Sequence, residues 1–358
     1  MDMDTTAYRL EDILKLILDK KGSDIYIIPN AQVMAKINDQ LEPLSKNKLT
    51  LDDCDILIRQ IYAQADKRSI QRLHESGDDD FSFGLNLLGR FRCSAFKQRG
   101  TYAAVLRVVS FSLPDAEALH IPETVLSLSS KKRGMVLVTG PAGSGKTTTL
   151  ACLIDRINQN RSGHIITLED PIEYIHPHKN CLVTQREIEN DTLDFAHALR
   201  ASLREAPDVI LLGEIRDFET MQTALTAAET GHLLFSTLHT LGSSRTIDRI
   251  VDVFPATQQQ QVRIQLSMVL QAVVSQQLIP SLNGGIVPAF EVMLVNNAIS
   301  NMIRENKTAQ MDNVIYAGTS EGMISMDNDI LRLYREKQIS RDNALLHAIN
   351  PDALARRI

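Results

Sequence analysis

One segment constrains this chain more than any other: Met135-Val-Leu-Val-Thr-Gly140-Pro-Ala-Gly-Ser-Gly145-Lys146-Thr147-Thr148. It has the spacing G-x-x-x-x-G-K-[ST]. An apolar run of strand length precedes it, and Leu150, Leu153, Ile154 and Ile157 follow at helical spacing. Glycines let the backbone curl round a phosphate chain and turn several N–H groups inward. The start of the helix adds partial positive charge. In that context Gly140, Pro141, Ala142, Gly143, Ser144, Gly145, Lys146, Thr147 and Thr148 are expected to hold a nucleoside triphosphate such as ATP. Lys146 would reach the β- and γ-phosphates, and the Thr147 hydroxyl would ligate Mg²⁺.

The pattern around this loop predicts an α/β architecture. Short apolar runs at 135–139, 164–168, 209–212 and 233–238 alternate with helical patterns, as in a parallel sheet covered by helices. After about residue 255 the chain reads as mostly helical, with one strand near 287–294. Residues 1–112 read instead as a small α+β domain. A helix is expected over 8–20 on Leu10, Ile13, Leu14, Ile17 and Leu18, with Gly22 ending it and a strand at 24–28. Thr50 is expected to cap a second helix whose apolar face is Leu51, Ile56, Leu57 and Ile61. Strands are expected at 81–87, 90–96 and 102–109, and the run Asp78-Asp79-Asp80 as a solvated loop. Residues 113–122, polar and bearing two prolines, are the expected linker to a second domain over 123–358.

Composition narrows the function classes. The length of 358 residues suits two or three domains, and 44% apolar with 23% charged residues is ordinary for a globular protein. No apolar run approaches the ~18 residues of a membrane span. Acids precede the first apolar run and no basic leader is visible, so no secretory signal is expected. Cys54, Cys93, Cys152 and Cys181 are scattered, which suits a reducing cytoplasm. Basic and acidic residues balance over 1–112, so the net charge of −6 falls on the remainder. With no Trp and 5% aromatics, neither part looks built to grip nucleic acid, which counts against a nucleic-acid translocase.

Further elements carry candidate chemistry. Val209-Ile-Leu-Leu-Gly213-Glu214 and His164-Ile-Ile-Thr-Leu-Glu169 each deliver an acid to the end of an apolar run. Two carboxylates beside Mg²⁺, directly or through water, would orient and deprotonate an attacking water. Glu214 is favoured as the base, with Glu169 positioning water or metal; the sequence itself leaves that choice open. His239, at the end of another apolar run, is a candidate sensor of the γ-phosphate. His176-x-His178-x-x-Cys181 matches no strong zinc pattern and reads as a loop. Arg90, Arg92, Arg99 and Arg107 in the first domain, with Arg200, Arg204 and Arg216 near Glu214, suggest a site completed by a neighbouring subunit. A nucleotide-gated module without turnover stays open.

The order GPAGSGKTTT, TLEDPIEY, ALRASLREAPDVILLGEIRD and TAAETGHLLFSTLHT resembles the Walker A, Asp, Walker B and His boxes of the type II/type IV pilus and secretion ATPases. The likeness is strongest to the branch that retracts type IV pili. Gly22-Ser-Asp24, Asp80-Phe-Ser-Phe83, residues 246–255 and residues 271–278 support it. Ala298-Ile-Ser-Asn-Met-Ile-Arg-Glu305 resembles the AIRNLIRE helix of retraction ATPases, with Ser300 for Arg and Met302 for Leu. The resemblance implies a PAS-like first domain, a RecA-like ATPase domain and a homohexamer with Arg92 and Arg107 approaching the phosphates. It also implies a cytoplasmic protein, peripheral at the inner membrane. Its partners there would be a pilus platform protein and, where present, a paralogous ATPase.

Overall fold

The computed structural model describes residues 9–38, 40–65, 68–85, 88–109 and 113–358. The chain divides into two compact units. One is Met1–Ser112 with Pro171–Ile175; the other is Leu113–Asp170 with His176–Ile358.

The first unit is an antiparallel sheet packed with helices. Its strands are β1 (Asp24–Ile27), β2 (Met34–Ile37), β3 (Gln40–Pro43), β4 (Asp78–Leu85), β5 (Gly89–Gln98) and β6 (Thr101–Val109), in the order β3-β2-β1-β6-β5-β4. The helix Leu10–Asp19 buries Leu10, Ile13, Leu14 and Ile17; Tyr8, the expected start, lies outside the described residues, as do Asn86, Leu87 and Ser112 at the expected ends of a strand and of the domain. The helix Leu51–Gln64 is closed by a capping box between Thr50 and Asp53, which satisfies two backbone N–H groups at its open end. Its buried face is Cys54, Leu57, Ile58, Ile61 and Tyr62, so the expected Leu57 and Ile61 are buried, whereas the expected Leu51 and Ile56 are exposed.

The acidic run corrects a second expectation. Asp78, Asp79 and Asp80 begin β4 rather than forming a loop, and strand alternation turns only Asp79 inward. Its carboxylate accepts from Arg68 and from the Tyr62 hydroxyl at 2.8 Å. A buried ion pair broken from one side leaves a poorly compensated charge. Asp79→Ala is therefore expected to cost about 3–5 kcal/mol in urea unfolding. Exposed Asp80→Ala should change stability by no more than about 0.5 kcal/mol.

The second unit carries a seven-stranded sheet. Its strands are β7 (Gly134–Thr139), β8 (Gly163–Glu169), β9 (Cys181–Glu187), β10 (Val209–Leu212), β11 (Leu233–Leu238), β12 (Leu270–Pro280) and β13 (Ile286–Leu294). The order is β13-β12-β7-β11-β10-β8-β9, parallel except for the β12–β13 pair. β7, β10 and β11 are buried along their whole length because helices cover both faces. After 255 the chain is mostly helical as expected, and the strand expected near 287–294 is β13, but β12 is a long strand that the sequence expectation does not include. β9 is not among the expected strands, and its first residue, Cys181, belongs to the segment expected as a loop. Residues 113–122 hold neither helix nor strand. No helix among the described residues is long and apolar enough to cross a membrane.

Candidate active site at the carboxyl edge of the parallel sheet

The register of the sheet gathers the site. Leu238 of β11 stands opposite Thr139 of β7, and Leu212 of β10 stands opposite Ser236 of β11 and Leu168 of β8. At these strand ends or within two residues beyond them stand Gly140, Glu169, Glu214 and His239. They therefore emerge along one edge, where open α/β sheets place ligands.

The phosphate loop leaves β7 and enters the helix Lys146–Asn160. Gly140, Gly143 and Gly145 have φ of +139°, +74° and +84°, open to glycine at little cost. At Gly140 space forbids a side chain as well: a Cβ would stand 2.2 Å from the Gln276 carbonyl oxygen. The Lys146 ammonium, 8% exposed, donates to the carbonyls of Gly140 and Pro141 at 2.9 Å each, which holds the charge over the loop. The Thr139 and Ser144 hydroxyls are buried there without hydrogen-bond partners among the described residues. Behind the loop, the Thr149 hydroxyl donates to Gln276 Oε1 at 2.7 Å.

Glu214 lies two residues beyond β10. The Thr237 hydroxyl donates to the Gly213 carbonyl at 2.6 Å and fixes the turn. One Glu214 oxygen binds the Arg216 guanidinium, and the other lies 3.3 Å from His239 Nε2. This contact raises the Arg216 pKa, chiefly through the hydrogen bond to Glu214. Both partners are largely exposed while Glu214 is nearly buried, so the carboxylate sits inside a removable cover. Glu169 is buried at the end of β8. It accepts from the Thr167 hydroxyl at 2.6 Å and from Gln185 Nε2 at 3.2 Å.

The hard oxygen donors here suit Mg²⁺. No group of three or more His, Cys, Asp or Glu side chains converges on a metal position among the described residues. An ion here would lean on the Thr147 hydroxyl, on water and on phosphate oxygens, the usual habit of Mg²⁺. Both carboxylates already accept from protein donors, so they would meet such an ion through water.

His176, His178 and Cys181 form no metal cluster. His178 Nδ1 accepts from Val183 N–H at 3.1 Å, and Cys181 opens β9. His176 is buried, and burial pushes its imidazole down to about 4. The unfolded chain takes up a proton near pH 6.5 and the folded chain only near 4, so stability is full above about 6.5 and falls as pH drops through that window. The slope of unfolding free energy against pH between 4 and 6.5 is expected to be shallower in His176→Gln than in wild type, by up to about 3 kcal/mol over the window.

The sequence assigns no role to Gln185, and it singles out Gln276 only as part of the 271–278 segment. Gln185 accepts from His176 N–H at 2.7 Å while donating to Glu169, tying the 170–180 segment to the acid. A glutamine in a strand carries no local signal; only the fold reveals its partners. Arg92 and Arg107 lie in the first unit. They are direct register partners on β5 and β6, both exposed on the face opposite the core. Asp24 Oδ1 lies 2.8 Å from Arg107 Nε. Like charges set opposite each other are unfavourable unless an anion is shared between them.

The description "Type II/IV secretion system protein" fits a family model that matches residues 2–345. The chain belongs to that family. It is 43% identical over 343 residues to the type IV pilus retraction ATPase PilT of Pseudomonas aeruginosa, covering 96% of this chain and 99% of that protein. It is 38% identical to the type IV pilus ATPase PilU of the same organism, covering 94% and 88%. A crystal structure of the pilus retraction motor PilT with bound ADP superposes with a TM-score of 0.89 at 45% identity, covering 98% of this chain and all of that one. The second unit is accordingly the RecA-like ATPase fold of the secretion ATPases, and the family relatives carry the name ATPase.

Proposed function

We propose that this chain is a motor ATPase that hydrolyses ATP to retract a type IV pilus, working as a homohexamer at the cytoplasmic face of the inner membrane on a platform protein. One observation carries the reading: the phosphate loop, Glu169, Glu214 and His239 emerge together at one sheet edge, in a chain similar over almost its full length to a retraction ATPase. Residues 113–122 serve as the linker between its two domains. Mg²⁺, when bound, neutralises phosphate charge and orders water. Lys146 neutralises negative charge on the β- and γ-phosphate oxygens, and the loop N–H groups cradle them. Glu214 accepts the proton of the attacking water once it parts from Arg216, while Glu169 holds the surrounding water. His239 reports the γ-phosphate through its contact with Glu214. Arg92 and Arg107 reach the phosphates of an adjoining subunit, so that hydrolysis biases the arrangement of one unit over its neighbour.

Deletion with complementation tests this. Loss of a retraction motor is expected to leave more surface pili and no twitching, restored by wild type and not by Lys146→Ala. An assembly motor gives bald cells instead, and pili and movement unchanged in a strain that has no other retraction ATPase would overturn the pilus reading. The similarity to PilU favours an accessory role as the second reading. In that case the deletion spares retraction while another retraction ATPase is present.

A further inference from the structure

β12 carries three consecutive polar side chains, Ser275, Gln276 and Gln277, through the interior of the second unit, all buried. A buried polar group left without a partner costs about 1–3 kcal/mol. Each of the three finds its partner in a different part of the unit. The Gly242 N–H donates to Ser275 Oγ at 2.9 Å, at the end of the segment leaving β11 through His239. Thr149 donates to Gln276 from the first turn behind the phosphate loop. A Cβ at Gly145 would stand only 2.9 Å from Gln276 Nε2, so the amide also abuts the loop. Gln277 Nε2 donates to the His347 carbonyl at 3.1 Å, at the end of the helix Arg341–His347. Strand alternation puts Gln276 on one face of the sheet and its two neighbours on the other.

We propose that Ser275-Gln276-Gln277 is a strut coupling the phosphate loop to the His239 segment and to the C-terminal helices. The register places Ser275 opposite Thr139, the last residue before the loop, so the triplet is level with the phosphate site. A strand hydrogen-bonded on both sides moves as a unit. A shift of the helix Lys146–Asn160 on binding phosphate therefore pulls Gln276 and carries Ser275 and Gln277 with it. On the sensor side the tie is doubled: buried Glu291 on β13 accepts from both the N–H and the hydroxyl of Ser243, at 2.7 Å each. Ser275 and Gln277 touch no phosphate in this scheme; they are positioning residues. The proposal rests on nucleotide binding at 140–148.

Hydrogen–deuterium exchange on the full chain, with and without Mg²⁺ and a non-hydrolysable ATP analogue, tests it. Wild type is expected to gain protection at 140–149 and also at 239–243 and 341–347, by about fivefold. Gln277→Leu should keep ATP turnover within about twofold of wild type yet lose the nucleotide-induced protection at 341–347 alone. Ser275→Ala should weaken it at 239–243 alone, where the Glu291 tie to Ser243 remains. A purely structural role would instead raise exchange with and without nucleotide alike. If Gln277→Leu does not fold, the shorter Gln277→Asn makes the same prediction. Protection at 341–347 retained in a folded Gln277 variant overturns the strut, as does a wild type protected at 140–149 only. A wild type showing no protection at 140–149 overturns the nucleotide reading and the strut with it.

Discussion

Lys146→Ala is expected to abolish ATP turnover, by about three orders of magnitude or more, and to weaken ATP binding as well. The side chain is nearly buried, and its ammonium is already held over the loop by the carbonyls of Gly140 and Pro141. A charge fixed where water is scarce acts on a phosphate far more strongly than one in bulk solvent, and it needs no reorganisation when negative charge shifts in the transition state. Glu214→Gln separates the two functions. The amide keeps the size of the carboxylate but cannot take a proton, so turnover is expected to fall about a hundredfold to a thousandfold while nucleotide affinity stays near wild type. Equilibrium binding of a fluorescent ATP analogue beside a phosphate-release assay distinguishes the outcomes. ATP bound by wild type without phosphate release, and unaffected by Glu214→Gln, would leave only a nucleotide-gated module. Equal loss of binding in both would mean that Glu214 holds the loop rather than the water.

The site was legible in the sequence where its chemistry is local. The phosphate loop depends on glycines and a lysine at fixed spacing beside an apolar strand and a helix, all within one short segment, and φ values at Gly140, Gly143 and Gly145 show the backbone demand directly. β7, β10 and β11 were visible because a strand covered on both faces must be apolar throughout. What failed was whatever depends on distant partners. β12 hid because its middle is Ser-Gln-Gln, tolerated in the interior only because Gly242, Thr149 and His347 supply partners from three remote places. β9 hid because an edge strand with one face toward solvent mixes polar and apolar residues. Asp79 looked solvated because nothing within its own run announces Arg68 and Tyr62. The face of the second helix was legible only in part for a related reason: Leu57 and Ile61 are buried as expected, but tertiary packing continues the stripe through Cys54, Ile58 and Tyr62 and leaves apolar Leu51 and Ile56 exposed.

The second large effect concerns the arginines of β5 and β6. Arg92→Ala is expected to lower turnover about a thousandfold or more, the usual cost of removing a guanidinium that meets transition-state charge on a transferring phosphoryl group. Arg107→Ala should cost less, because Asp24 already draws on that guanidinium from within its own sheet. The origin of the effect is best read by mixing. A chain with Lys146→Ala has a dead loop and intact arginines; a chain with Arg92→Ala has the reverse. If each site is shared between subunits, some interfaces in a mixed ring join the intact loop of one chain to the intact arginine of the next. Two inactive preparations, mixed and allowed to exchange subunits, should then recover ATP turnover well above either alone. The recovery should track the fraction of mixed rings measured by native mass spectrometry. If Arg92 served the loop of its own chain, every site in the mixture would still lack one of the two groups, and no activity would return. An Arg92→Ala chain as active as wild type would remove the arginine from the mechanism altogether. Its exposed place opposite Arg107 would then be a surface charge pair with no part in hydrolysis.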